Sequence, residues 1–305
     1  MRTPDLLVVG ESLVDVTIGS DGSTEARPGG SPLNIAVGCA RLDLSTILAS
    51  QIGDDEYGEQ IREHLDASDV DVRSLPPHRD DSSVARAFVD ETGHATYEFE
   101  LTWDPTELPT ADGLGCLHIG SIAAALPPGA DAVRSLAEDA HRLGVPVSFD
   151  PNVRTTITPD VDALRGRVGV LAGLAALVKL SDEDAATLFP GTDDVLTMLV
   201  DNERTALAVM TCGGSSVRLR STSAHVEVTP PTVDVVDTIG AGDSFMSALL
   251  VALVENDLLA RSDFDAAELR ELGTYAARAA AITCTRRGAD PPTRAELGPT
   301  TRERA

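Results

Sequence analysis

Short apolar runs closed by turn residues recur along this chain, and most are followed by a stretch with apolar residues every three or four positions. Leu6–Val9, closed by Gly10, reads as a buried first strand, and Leu13–Ile18 alternates loosely enough to be a second. Residues 21–32, rich in Gly, Ser and Pro, predict a loop. The Ala-rich stretch 34–42 predicts a helix and 45–52 a buried strand. Residues 53–58 open the next helix, with acidic side chains near its positive end. After Pro109 the same alternation predicts strands at 116–119, 145–149, 177–180 and 205–211. Helices are expected at Gly129–Leu143, 164–174, Asp182–Leu188, 195–199, 241–253 and 269–284, and the polar tail from Pro291 is expected to fray.

Residues 84–89 and 96–99 follow another rhythm, apolar and polar in turn, with Asp90-Glu91-Thr92-Gly93 between them. That is a β-hairpin signal set apart from the strand–helix alternation around it. It predicts a small β-sheet lid, formed by about 12–18 and 84–103, inserted in a single α/β domain spanning 1–305. Strand–helix alternation of this kind predicts a doubly wound, mainly parallel sheet flanked by helices. Nothing resembles an internal repeat or a low-complexity linker.

Composition narrows the function classes. Hydrophobic residues make up 42% and aromatic ones 3%, so the core must be mostly Ala, Val and Leu. A formal net charge of −25 repels nucleic acid and anionic lipid, and no basic patch offsets it. No apolar run approaches the ~18 residues of a membrane span. Cys39, Cys116, Cys212 and Cys284 form no Cys-x-x-Cys pair and read as buried small hydrophobes, which points to a reducing, cytoplasmic setting.

In an open α/β sheet, ligands bind beyond the carboxyl ends of the strands. Polar clusters sit at several such ends: Asp150-Pro151-Asn152-Val153-Arg154, Ser181-Asp182-Glu183-Asp184, Thr211-Cys212-Gly213-Gly214 and the segment from Asp237 to Asp243. Gly240-Ala241-Gly242 is small enough for backbone amides to approach an anion, and the helix beginning there aims its positive end at the same point. Asp243 follows in the first turn. It could be a mere dipole partner of the helix, or a base taking a proton from an attacking hydroxyl while the amides hold a transferring phosphoryl group.

These residues carry a resemblance. Asp237-Thr238-Ile239-Gly240-Ala241-Gly242-Asp243-Ser244-Phe245 resembles the C-terminal signature of the ribokinase/PfkB carbohydrate kinases. Gly29-Gly30 with Asn34 and Ala36, Arg41-Leu42, Gly53-Asp54-Asp55 and Gly58 resemble the N-terminal one. The resemblance implies a ribokinase-like fold and an ATP-dependent sugar kinase. It casts Asp243 as catalytic base, the amides of Gly240, Ala241 and Gly242 as anion hole, and Asp15, Gly30 and Asn34 as sugar-binding positions. Phe99, in the hairpin, is expected to reach the sugar as well. Asn34 could instead cap its helix, and Asp15 could be a solvated strand-end carboxylate.

Asp150 to Arg154 resembles a stretch of fructokinase-like and 2-keto-3-deoxygluconate kinase-like members. Arg154 would touch phosphate or acceptor, or else form a surface ion pair. Residues 179–184 resemble the family's Asn-x-x-Glu region, which organises Mg²⁺, but here Ser181 replaces Asn and Asp184 replaces Glu. Asp184 is therefore expected to reach Mg²⁺ through water. Lys179, the only lysine in the chain, Ser181, Thr211, Gly213, Ala280 and Thr283 fall at nucleotide-binding positions. Asp237 and the carbonyl of Ile239 fall at a monovalent-cation site, usually potassium. The resemblance points to fructose as acceptor, with 2-keto-3-deoxygluconate or ribose as alternatives, and to a possible homodimer through the lid. A catalytically silent ribokinase-fold binding protein would be expected to lack the base or the anion hole, and this chain keeps both.

Overall fold

The structure, a computed structural model, describes residues 5–90, 92, 95–202 and 204–300. In chain order the first elements are β1 (Leu6–Val9), β2 (Leu13–Ile18), β3 (Thr24–Gly29), α1 (Ser31–Arg41), β4 (Thr46–Ser50), α2 (Glu56–Asp66) and β5 (Asp71–Ser74). Next come β6 (Ser83–Val89), β7 (Ala95–Glu100), β8 (Cys116–Gly120), α3 (Ser121–Ala125), α4 (Gly129–Leu143) and β9 (Val147–Asp150). They are followed by α5 (Val161–Ala172), β10 (Leu177–Ser181), α6 (Asp182–Leu188), α7 (Val195–Val200), β11 (Leu207–Cys212), β12 (Ser216–Arg220) and β13 (His225–Val228). The chain closes with α8 (Ala241–Glu255), α9 (Ala266–Cys284) and α10 (Arg294–Leu297).

The large sheet has the order β13-β12-β11-β10-β9-β8-β1-β4-β5. From β11 to β5 every pairing is parallel, and β12 and β13 extend the edge antiparallel. The apolar run Leu6–Val9 and the stretch Leu177–Leu180 are covered on both faces, as parallel strands must be. One core layer joins α1, α8 and α9 to the sheet, and the other packs α4 to α7 against the opposite face. Helix α8 is buried from Ser244 to Leu253 because it is apolar all round. From β1 the chain steps one way to β4 and β5, and later the other way from β8 to β11, so the order reverses between β1 and β8. A crevice opens there beyond the strand ends.

A second sheet, β3-β2-β6-β7, stands over that crevice. Asp15, Ala85 and Phe99 are cross-strand neighbours and therefore share one face. Val14, Val16 and Val84 point the other way into the core. The expected hairpin is β6 and β7; Glu91, Gly93 and His94 at its tip lie outside the described residues.

Two expectations need correction. Residues 21–32 are not all loop, because β3 pairs with β2 from Leu13↔Gly29 to Ile18↔Thr24. Its strand character comes from that partner, and Pro28 is tolerated because β3 is an edge. The tail beyond Pro291 is also structured. Thr293 and Glu296 form a capping box for α10, Leu297 is fully buried, and Arg294 binds Leu42 O and Glu255. Residues 301–305 lie outside the described residues. All four cysteines are free.

Candidate active site

Helix α8 begins at Gly240, whose φ of +74° is left-handed. A Cβ there would lie 2.5 Å from Ala289 Cβ, so the turn tolerates only glycine. Ala241 N donates to Thr238 O at 3.2 Å, so that amide is spent closing the turn. Of the amides expected to form an anion hole, that of Ala241 is thus occupied; the first-turn amides of a helix have no helical carbonyl behind them to bond.

Asp243, in that turn, is held from across the chain. Ser31 Oγ donates to Oδ1 at 2.6 Å, and Asn34 Nδ2 to Oδ2 at 2.8 Å. Both donors come from the start of α1, three residues apart and hence on one face. The structure thus gives Asn34 a partner in Asp243, while its own Oδ1 is buried with none. Ser31 was not anticipated. The signal for it is its place directly after Gly29-Gly30, on the side of the helix that Asn34 shares.

A cleft of about 550 Å³ opens beside Asp243. Asp15, Gly30, Asn34, Phe99, Arg154, Lys179, Gly240 and Gly242 all line it, together with Glu11, Ser31, Tyr97 and Ser121. Phe99 and Tyr97 stack with ring centroids 6.2 Å apart. Asp15 is reachable by solvent from the mouth, yet crowding by the cleft walls pushes its carboxyl up to about 6, with Arg154 opposing. Glu11 is 4% exposed. Its Oε2 accepts from Ala123 N at 2.9 Å, and its Oε1 has no partner. Burial lifts this carboxyl to about 7, although Ser121 and the α3 amides pull the other way.

A second cleft, of about 570 Å³, lies on the far side of the α8 N-terminus. Its walls include Ser181, Thr211, Gly213, Ala241, Ala277 and Ala280, with Pro230 and Pro231 across from them. Thr283 needs correction: it is fully buried and spends its hydroxyl on Ala279 O at 3.2 Å. The wall of α9 is made by Ala277, Ala280, Ala281 and Cys284, one helical face that excludes Thr283. Thr238 and Gly242 line both clefts, so the two meet at the α8 N-terminus.

The ends of β9 and β10 meet beneath that point. Lys179 Nζ donates to Asp150 Oδ2 at 2.7 Å, both side chains being buried. Ser181 caps α6 by accepting from Asp184 N. Asp184 returns the bond through Oδ2, and its Oδ1 accepts from Val153 N at 2.8 Å. Asp184 Oδ1 thus braces the 150–154 segment and Oδ2 braces the start of α6, which leaves little for direct metal ligation. Arg154 Nη1 donates to Val153 O. Asp237 accepts from Ile239 N and Gly288 N, and against the cost of burial those amides hold its carboxyl below the usual range. Among the described residues no group of three or more His, Cys, Asp or Glu is placed to hold a metal ion. No described helix is long and apolar enough to cross a membrane.

A cleft lined by Asp15, Asn34 and Asp243 and a second cleft walled mostly by small residues share one helix N-terminus, an arrangement that suits transfer of a group between two ligands. The family profile of pfkB family carbohydrate kinases matches residues 3–296. The chain belongs to that family. Among this kinase's curated relatives, the fructokinase of Klebsiella pneumoniae is 32% identical over 82% of the chain and 85% of that enzyme. The fructokinase of Escherichia coli is 30% identical over 92% of the chain and 94% of that enzyme. A Vibrio cholerae fructokinase solved with fructose, ADP and calcium superposes with a TM-score of 0.79 at 26% identity, covering 97% of this chain and 98% of that one. A Xylella fastidiosa fructokinase with bound ATP, at 22% identity, has a TM-score of 0.82 over 96% of each chain and shares the fold. The kinase is thus a phosphotransferase of the sugar-kinase class with a ribokinase-like α/β fold.

Proposed function

We propose that this kinase transfers the γ-phosphoryl group of ATP to a primary hydroxyl of fructose. The observation that carries the reading is the meeting of the two clefts at Gly242, with Asp243 on the acceptor side. The fructokinase relatives, at 30–32% identity, favour fructose. ATP lies in the small-residue cleft with its phosphates toward α8, and the sugar lies under the small sheet against Asp15, Gly30 and Asn34. Asp243, oriented by Ser31 and Asn34, takes the hydroxyl proton as the sugar oxygen attacks. The α8 amides and helix dipole hold the transferring charge. The small sheet acts as a lid that excludes water, and a second copy docks through it.

Magnesium supplies charge neutralisation to the phosphates. It keeps much of its water shell, so Asp182 and Glu183 at the cleft edge would hold it through water, with Asp184 behind them, rather than in a dedicated cage. Potassium would sit by Asp237 and the Ile239 carbonyl, outside the reacting atoms. A cytoplasmic location fits the free cysteines.

Arg154, at the acceptor cleft, gives one specific reason to test a carboxylated sugar such as 2-keto-3-deoxygluconate beside fructose and ribose. ADP formation across that panel, with and without potassium, decides the acceptor. In the same assay Asp243→Asn is expected to lower turnover by several orders of magnitude while ATP binding is kept. Near-normal turnover would remove Asp243 from the role of base.

A further inference from the structure

Lys179 is the single lysine among 24 basic residues, and it is only 5% exposed. It donates a hydrogen bond to Asp150, itself 1% exposed. A buried ion pair is a poor source of stability, because desolvating two charges offsets their attraction. Its position gives a better reason for it. A Cβ on Gly242 would come within 3.2 Å of Lys179 Nζ, so the ammonium abuts the first turn of α8 where the two clefts meet. A side chain at position 242 would crowd that ammonium. The site also suits lysine: a compact ammonium fits the gap as a point charge, whereas a planar guanidinium would need more room. An ammonium has three donors, and Asp150 takes one. Burial pushes its proton affinity down, but Asp150, Asp243 and Asp184 outweigh burial and hold Lys179 charged.

We propose that Lys179, positioned by Asp150, is a further catalytic residue that neutralises the charge on the γ-phosphoryl group in transit. The α8 amides offer partial charges to that group, and Lys179 adds a full side-chain cation beside them. The inference rests on the phosphoryl-transfer reading above. In the step it serves, the sugar oxygen forms its bond to the γ-phosphorus as the bond from that phosphorus to the bridging oxygen breaks. The hydroxyl proton passes to Asp243, and ADP leaves with the electron pair of the broken bond. Lys179 gives up no proton.

A lone lysine permits a direct test. Protein carrying ¹³Cε-lysine has one such side-chain resonance, so Lys179 is assigned without ambiguity. With fructose and Mg²⁺ present, exchanging ADP for β,γ-methylene-ATP is expected to shift that resonance. An identical resonance in the two complexes would overturn the proposal, since a merely structural pair does not sense the γ-phosphate. In a second arm, Lys179→Met with Asp150→Leu removes both charges and leaves no buried ion alone. There kcat is expected to fall about 10²–10³-fold, the range for loss of one group aimed at developing charge, with ADP affinity and Tm unchanged. Unchanged kcat would also overturn it. If the double variant does not fold, the resonance decides. Failure of the phosphoryl-transfer reading looks different: wild-type protein would form no ADP with any sugar.

Discussion

Glu11→Gln should make the protein more stable at pH 8 and leave it unchanged at pH 5. Glu11 lies at the switch between β1 and β8, with Oε2 on Ala123 N and Oε1 buried without a partner. Its carboxyl is raised from 4.5 to about 7, first of all by burial. The folded protein therefore holds this proton up to about pH 7, whereas the unfolded chain releases it near 4.5. Between those values the native state binds more protons, so stability falls as pH rises through that window. At ~1.4 kcal/mol per pH unit, the ionised carboxylate costs about 3 kcal/mol above pH 7. With ~2.1 cal/mol/K of unfolding entropy per residue over 305 residues, that is about 5 °C in Tm. Glutamine mimics the protonated acid and does not titrate. Thermal melts of both proteins from pH 5 to 8.5 should coincide at the acid end and separate by about 5 °C at the basic end. Asp15 and Asp150 are also raised, to about 6, but they titrate in both proteins and cancel. Parallel Tm curves across that range would refute the reasoning.

Ser31→Ala removes one of two donors to Asp243, and a bond to a charged group is worth ~1.5–3 kcal/mol, so kcat should fall about 10- to 100-fold in steady-state assays with little change in ATP KM. Gly240→Ala forces a side chain into a left-handed backbone and onto Ala289, at ~1–2 kcal/mol for the backbone alone; both Tm and kcat should drop. Ala280→Leu narrows the nucleotide cleft and should raise ATP KM, whereas Thr283→Val, on the buried side of α9, should leave it unchanged; KM measurements on the pair check the face assignment.

What the sequence revealed tracks how local each cause is. The strand–helix alternation and the α8 turn are written in contiguous residues, so both were legible. So was the hairpin, from its period of two. Strand β3 was hidden because Thr24, Glu25 and Arg27 carry no apolar pattern, and its order comes from pairing with β2. The alternations in Val217-Arg218-Leu219 and Val226-Glu227-Val228 do signal β12 and β13, though over very few residues. The grip of Ser31 on Asp243 spans 212 positions and needs the folded chain. Thr283 misled because its position on α9 follows from how the helix rolls against the sheet. Asp184 could be matched to a metal position from the sequence, but its bond to Val153 N depends on the approach of α6 to the loop after β9.

Among the described residues, the cleft proposed for ATP has no lysine or arginine in its lining. Surface charges act through water, where ions screen them over ~10 Å at 0.1 M salt and ~3 Å at 1 M. Peptide dipoles in the first turn of a helix, and an ammonium sealed beside Gly242, act at contact distance with no room for counterions between. On the proposed reading, the groups that hold phosphate would be insulated from ionic strength, while the acidic exterior answers to it. Nucleotide affinity should stay nearly level across salt concentrations at which a site built from exposed lysines would lose most of its hold.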